Sequence, residues 1–360
     1  MTRRREKKER NTMSNRPSRK VSQPSETLSP ALAHLFPSPE TIAGTIPPGH
    51  RGKPKSCTLG QWLYWFLSVD AAPHWADSTL YGCAGIARHH ILPAIGALRL
   101  GSLTALRLQT YLAGKLGEGL SPNTVLKHYT LLFTALRRAE EYGIVKGNPM
   151  RAVVPPRSVP PRYTFYSPQQ LRILFRAAED TLLELPIKLA AYLGLRRGEI
   201  AGLRWQCVDF SAKTLLIQET RTEVGGVVVL KQPKTRNSVR QLGIGGSPDL
   251  LALLERTWAR RRSNNPAEYV LLKADGTPPT PNYLTEALLV LVRENRLPPI
   301  TLHGLRHSFA SVANSEGIPM HDISKALGHS SIAVTSGIYT HLFDETESRS
   351  FQAVARAILE

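Results

Sequence analysis

Three clusters in the second half of the 360-residue chain hold side chains capable of chemistry. The first, Gly194-Leu195-Arg196-Arg197-Gly198-Glu199, sets two arginines and a carboxylate between the end of one apolar helix and the start of the next. The second, Leu302 to Ala310 (LHGLRHSFA), can be laid on a helical wheel at about 100° per residue. His303, Arg306 and His307 then share one arc while Leu305, Phe309 and Val312 lie opposite, so one helix carries a core face and a face of cations and imidazoles. The third, Leu327-Gly328-His329-Ser330-Ser331-Ile332, runs on to Thr335 and Tyr339-Thr340-His341.

Guanidinium groups are planar, permanently charged donors suited to gripping oxyanions. A histidine can move a proton near neutrality, and a tyrosine hydroxyl is a nucleophile once deprotonated. Each cluster, taken singly, also has a plainer account: a solvated helix face, arginines capping helix-end carbonyls, a tyrosine packed in a core. A metal site on the i, i+4 pair His303 and His307 is disfavoured. The metalloprotease pattern needs Glu after the first His, and Gly304 stands there.

These clusters sit in a chain with 46 Lys and Arg against 28 Asp and Glu, a formal charge of +18. Such a field favours a polyanion, either nucleic acid or an anionic membrane surface. Apolar runs such as Ala287–Val292 fall far short of the ~20 residues a spanning helix needs, so no membrane insertion is expected. The basic start MTRRREKKER leads into Asn, Ser and Pro rather than an apolar stretch, which is not a secretory signal, and a cytoplasmic protein is expected. Cys57, Cys83 and Cys207 are odd in number with no CxxC pair, consistent with free thiols in a reducing compartment.

At ~150 residues per domain the length suggests about two domains. Residues 1–56 hold 12 Lys or Arg, 4 Asp or Glu and 8 of the 27 prolines, the composition of a basic, disordered arm. Residues 57–154 show helical periodicity, with Leu59, Trp62, Leu63, Phe66 and Leu67 on one stripe and Val125, Tyr129, Leu132, Phe133 and Leu136 on another. Helix starts are expected at Ser78-Thr79, at Thr104 and at Ser121-Pro122. Residues 155–162 form a stiff proline-rich linker, and residues 163–360 a second domain.

In that second domain Ser167-Pro168-Gln169-Gln170 opens a helix. Runs at Thr214–Gln218, Val227–Leu230 and Val239–Ile244 predict a small antiparallel sheet, with Gly225-Gly226 turning between the first two. Helices follow near 249–262, 281–294, 302–315, 320–327, 332–340 and 346–359. The expected fold class is mainly α with a small antiparallel β-sheet, α+β.

Taken together, GLRRGE, HGLRHSFAS and LGHSSIAVTSGIYTH, in that order and at these separations, resemble the catalytic domain of the tyrosine recombinases, the phage-integrase family. The resemblance is strong over about 163–345. Upstream, Leu120-Ser-Pro-Asn-Thr-Val and Gly147-Asn-Pro-Met are similar to that family's helical core-binding (SAM-like) domain. It implies Arg196 and Arg306 as phosphate-clamping arginines, His303 and His329 as the two histidines, and Tyr339 as nucleophile, with Glu199 in support. The family's lysine lies on a β-hairpin; Lys234 fits it best and Lys231 is the rival.

The implied activity is site-specific recombination of double-stranded DNA through a 3′-phosphotyrosyl intermediate, with no metal, cofactor or ATP. Physical chemistry makes the same demands. Attack on a phosphodiester gathers charge on the non-bridging oxygens, where fixed cations are worth on the order of 10²–10³ each in rate. A homo-tetramer on synapsed DNA is implied, with a directionality factor as a further partner. The apolar stripe Phe351, Val354, Ala355, Ile358 and Leu359 packs either on its own subunit or on a neighbour. Two readings compete: a type IB topoisomerase-like enzyme that cuts without exchange, and a DNA-binding protein without catalysis.

Overall fold

A computed structural model describes residues 57–160, 163–231, 239–261 and 264–328. The arm at 1–56, Pro161-Arg162 of the expected linker, Lys234, His329, Tyr339 and the helices expected near 332–340 and 346–359 lie outside the described residues. The chain separates into two compact units between Ser158 and Val159.

Local sequence sets the helix starts of the first unit. Thr58 and Gln61 exchange bonds in a capping box that opens α1, Leu59–Trp65, continued by a π-helical Phe66–Ala71. The next helix, α2, is Asp77–Ile86, beginning just ahead of the expected Ser78-Thr79 start with an acidic residue in its first turn. After the short α3, Leu92–Ile95, come α4, Ala105–Gly117, capped by Thr104, and α5, Pro122–Glu141, capped by Ser121 with proline at its first position. Leu59, Trp62, Leu63, Phe66, Leu108, Leu132 and Leu136 are buried together as this unit's core. The Trp62 indole N–H finds a buried acceptor in Ala135 O at 2.8 Å.

In the second unit Ser167 and Gln170 again form a capping box, at the head of α6, Pro168–Ala178. Then come α7, Glu184–Leu193, and the short α8, Arg197–Gly202. The strands are β1, Val208–Asp209; β2, Thr214–Ile217; β3, Thr220–Val224; β4, Val227–Lys231; and β5, Arg240–Gly243. Helices α9, Pro248–Ala259, α10, Pro281–Glu294, α11, Leu302–Ser315, and α12, Met320–Leu327, complete it. Among the described residues no helix is long and apolar enough to cross a membrane.

The strands form two antiparallel sheets rather than one. Strand β2 lies between β1 and β5, while β3 and β4 pair separately, with Val224 opposite Val227. Gly225-Gly226, both at positive φ, therefore turn β3 into β4 and do not join the Thr214 and Val227 runs. The sequence Thr220-Arg-Thr-Glu-Val hid its strand because it lacks apolar alternation; its Arg221 is nevertheless buried, donating to Ala201 O and Pro279 O.

The main core gathers Leu174, Ile187, Leu189, Ile200, Leu215, Ile217, Leu254, Leu288 and Leu305. A smaller cluster, Ala310, Ile323 and Leu327, locks α12 against α11. Both helices bear directly on the clusters identified in the sequence.

Candidate active site

Helix α7 ends at Gly194 in the left-handed region, φ 62°. A Cβ there would lie 2.5 Å from the Leu327 side chain and 2.9 Å from Phe309, so only glycine lets α7, α11 and α12 meet at this corner. The chain then turns through Leu195 and Arg196 into α8, whose first turn carries Glu199. Gly198 abuts β3, a built Cβ falling 2.5 Å from Arg221 O. Both glycines of the GLRRGE motif are thus required by close packing.

Glu199 is buried and accepts from two arginines. Its Oε1 takes Arg196 Nη1 at 2.8 Å and Arg240 Nη1 at 2.9 Å; its Oε2 takes the Arg196 backbone N–H at 2.8 Å and Arg240 Nη2 at 2.9 Å. Burial alone would push this carboxyl up. The paired hydrogen bonds and charge of Arg240, helped by Arg196, outweigh it and hold the group down at about 2. Glu199 is an anion at every physiological pH.

The end of α12 is where the arginines converge. Arg240 Nε donates to Ala326 O at 3.1 Å, Arg306 Nη2 to Leu327 O at 2.8 Å, and Arg196 Nη2 to Gly328 O at 3.0 Å. Three consecutive carbonyls at the negative end of a helix thereby hold guanidiniums from β5, α11 and the α7–α8 corner. Arg306 also donates from Nη1 to Gly194 O at 2.7 Å, tying in the end of α7.

Arg306 is 1% exposed and His307 is also buried, so the plainer account of this helix as a solvated face does not hold for them. The physical reason is that α11 is covered on that side too, by the ends of α7 and α12, with carbonyls in place of water as acceptors. Phe309 and Val312, placed on the expected core face, are only half-buried.

His303, in the first turn of α11, keeps an exposed position. Its ring meets that of His307 edge-on at 4.7 Å between centroids, and His307 in turn packs against Tyr163. Partial burial, then the charges of Arg306 and Arg196, depress its pKa below the usual imidazole value. At neutral pH it is an uncharged proton acceptor in the field of both arginines. Among the described residues no group of three or more His, Cys, Asp or Glu gathers as a metal site.

The structure brings Arg196, Glu199, His303 and Arg306 to one place, the first two lying 104 or more positions before the last two in the sequence. Residue Gly328 leads directly to His329, which with Lys234 and Tyr339 lies outside the described residues. Sequence reasoning missed Arg240. The signal was present: within the Val239–Ile244 run Arg240 alternates with Leu242 and Ile244 and so shares their inward face, where a charge requires a partner.

The comparisons with known proteins agree with this geometry. The sequence profile of the phage integrase family matches residues 165–346, half of the chain. A "tyrosine recombinase XerC-like" protein of Caldanaerobacter subterraneus subsp. tengcongensis is 24% identical over 328 residues, covering 82% of each chain. Among solved structures, the Tn1549 transposon integrase in complex with transposon right end DNA superposes with a TM-score of 0.70 at 20% identity, over 83% of this chain and 99% of that one. A lambda integrase tetramer bound to a Holliday junction gives 0.61 at 20% identity, over 79% and 83%. At these identities the structural likenesses speak for the fold; with the profile match over the site-bearing unit, they lead to one assignment. The chain belongs to the phage integrase family, the tyrosine recombinases, enzymes that cut and rejoin DNA strands by transesterification.

Proposed function

We propose that this site-specific recombinase works through Tyr339 as nucleophile, with Arg196 and Arg306 on the scissile phosphate. The phenolic oxygen attacks phosphorus, the bond to the 5′-oxygen breaks, and a 3′-phosphotyrosyl linkage forms. The phenol proton passes to a neutral histidine, His303 being held in that state by its neighbours. A lysine, Lys234 in the first instance and Lys231 as rival, protonates the departing 5′-oxygen. Attack by a 5′-hydroxyl from a second duplex reverses these steps and joins new partners. The phosphotyrosyl bond conserves the energy of the one it replaced, so no ATP is consumed.

The observation that supports this most is the pairing of Arg196 and Arg306 on adjacent carbonyls of α12, flanking a neutral His303. Carbonyls orient both cations, and Glu199 braces Arg196 as well, so their donors are fixed in place before a phosphate arrives, as a phosphate site requires. Arg196, 36% exposed at its side chain, is the more accessible of the two, and Arg306 is buried behind it.

Duplex DNA is the substrate and a homo-tetramer on synapsed sites the working assembly, by likeness to the lambda integrase tetramer on its junction. Residues 57–154 supply the core-binding domain, 155–162 its linker and 163–360 the catalytic domain, in the cytoplasm where such DNA resides. The test is incubation with nicked duplexes selected from a randomised pool for detergent-stable capture on the protein. A covalent adduct that disappears in Tyr339→Phe is expected, with joined recombinant product from paired sites. An adduct unaffected by that change would sink the nucleophile assignment.

A further inference from the structure

Arg240 stands outside the residues carried over from the family motifs, yet it holds one of them, Glu199, directly and a second, Arg196, through it. Both its terminal nitrogens bond Glu199, one to each carboxylate oxygen, in a fork-to-fork pair at 2.9 Å. Its Nε reaches Ala326 O at 3.1 Å, so one planar group spans from the α8 carboxylate to the last turn of α12. Gly328 closes over it: at φ 65°, a Cβ there would lie 3.2 Å from Arg240 Cδ and Nη1. Glu199 in turn holds Arg196 at both its backbone N–H and Nη1.

We infer that Arg240 is a positioning residue that aims the Arg196 guanidinium and sets the Gly328 turn leading to His329, without itself touching DNA. The side chain is 9% exposed, which keeps it from a DNA backbone and suits a role exerted through Glu199. The inference rests on the recombinase reading above. A lysine could not replace this residue, since an ammonium is a point donor that cannot bridge both carboxylate oxygens and the Ala326 carbonyl in one plane.

The experiment measures single-turnover cleavage of the captured nicked duplex, DNA affinity and thermal midpoint for Arg240→Lys, Arg196→Lys and the double variant. Arg240→Lys keeps a cation beside the buried carboxylate and is expected to fold. It should bind DNA as wild type does and cleave on the order of 100-fold more slowly, the cost of a misaimed catalytic group. In the Arg196→Lys background the same change should cost less than about 3-fold, because the group being aimed is already gone. Equal losses in both backgrounds, or a loss that follows weakened DNA binding, overturn the inference.

A neutral pair, Glu199→Gln with Arg240→Gln, strands no buried charge and gives a second arm. Its expected loss matches that of Arg240→Lys, and wild-type cleavage would overturn the inference. Absence of Tyr339-dependent capture in the wild-type protein is a separate result, which brings down the recombinase reading itself.

Discussion

Arg138 in the helical unit and Arg306 in the catalytic unit are both ordered by hydrogen bonds, but to different acceptors. Arg138 meets Asp70 through Nε at 2.8 Å and through Nη2, adds Glu141, and shares Asp70 with the Tyr142 hydroxyl. Its charge is cancelled where it stands. Arg306 meets two backbone carbonyls, Gly194 O at 2.7 Å and Leu327 O at 2.8 Å. Beside it, Arg196 and Arg240 share the carboxylate of Glu199. A carbonyl fixes direction while leaving net charge, so an arginine can be rigid and still electrostatically available. Arg138 serves to build its unit; Arg306, under the function proposed, stores its charge for a phosphate.

The sharpest way to break this contrast is to remove each arginine in turn. Arg306→Gln should lower single-turnover cleavage by 10²–10³-fold, as expected for a donor aimed at transition-state charge. Arg138→Gln should leave cleavage per folded molecule unchanged and lower the thermal midpoint. If Arg138→Gln slowed the chemical step as much, the distinction between building and storing would fail.

The carboxylates sharpen it next. Glu199→Gln leaves Arg240 buried beside a neutral partner and should cost roughly 3–5 kcal/mol in urea unfolding, more than Asp70→Asn, whose site is nearer solvent. Glu199 also predicts a pH dependence. Its folded pKa of about 2 lies below the ordinary 4.5, a difference on the order of 3 kcal/mol. That stability is present above pH 4.5 and is lost as pH falls toward 2; in Glu199→Gln this part of the acid profile should vanish.

Gly194→Ala tests the corner itself. With φ at 62° and the new methyl 2.5 Å from Leu327, a loss of about 1–3 kcal/mol is expected, with cleavage falling alongside. Smallest is the effect on His303. Its depressed pKa puts the acid limb of cleavage below the usual imidazole value, and Arg196→Gln, by withdrawing one of the depressing charges, should move that limb upward. A limb that stays fixed would remove Arg196 from the histidine's surroundings.

Much of this was legible in the residues. The capping signals at Ser121, Ser167 and Thr104 mark real helix starts because they depend on local bonds alone. The clusters around Arg196, His303 and Arg306 could be picked out by type and spacing, and the structure draws those residues together. Strand pairing was not legible: β3 carries no apolar alternation, and its pairing with β4 rests on a two-glycine turn that two partners could have used. The burial of Arg306 was hidden for a related reason. A helical wheel sees one helix, and what covers Arg306 comes from Gly194 and Leu327, on other helices.

The bond from Arg196 to Gly328 closes 132 positions of chain, and that from Arg306 to Gly194 closes 112. Glu199 can brace Arg196 locally, but the bonds to Gly328 and Gly194 that complete the aim of these two cations form only with the tertiary fold. Under the function proposed, competence to break DNA arrives with the tertiary fold, and a partly folded copy holds the same charges without the arrangement that would let it cut.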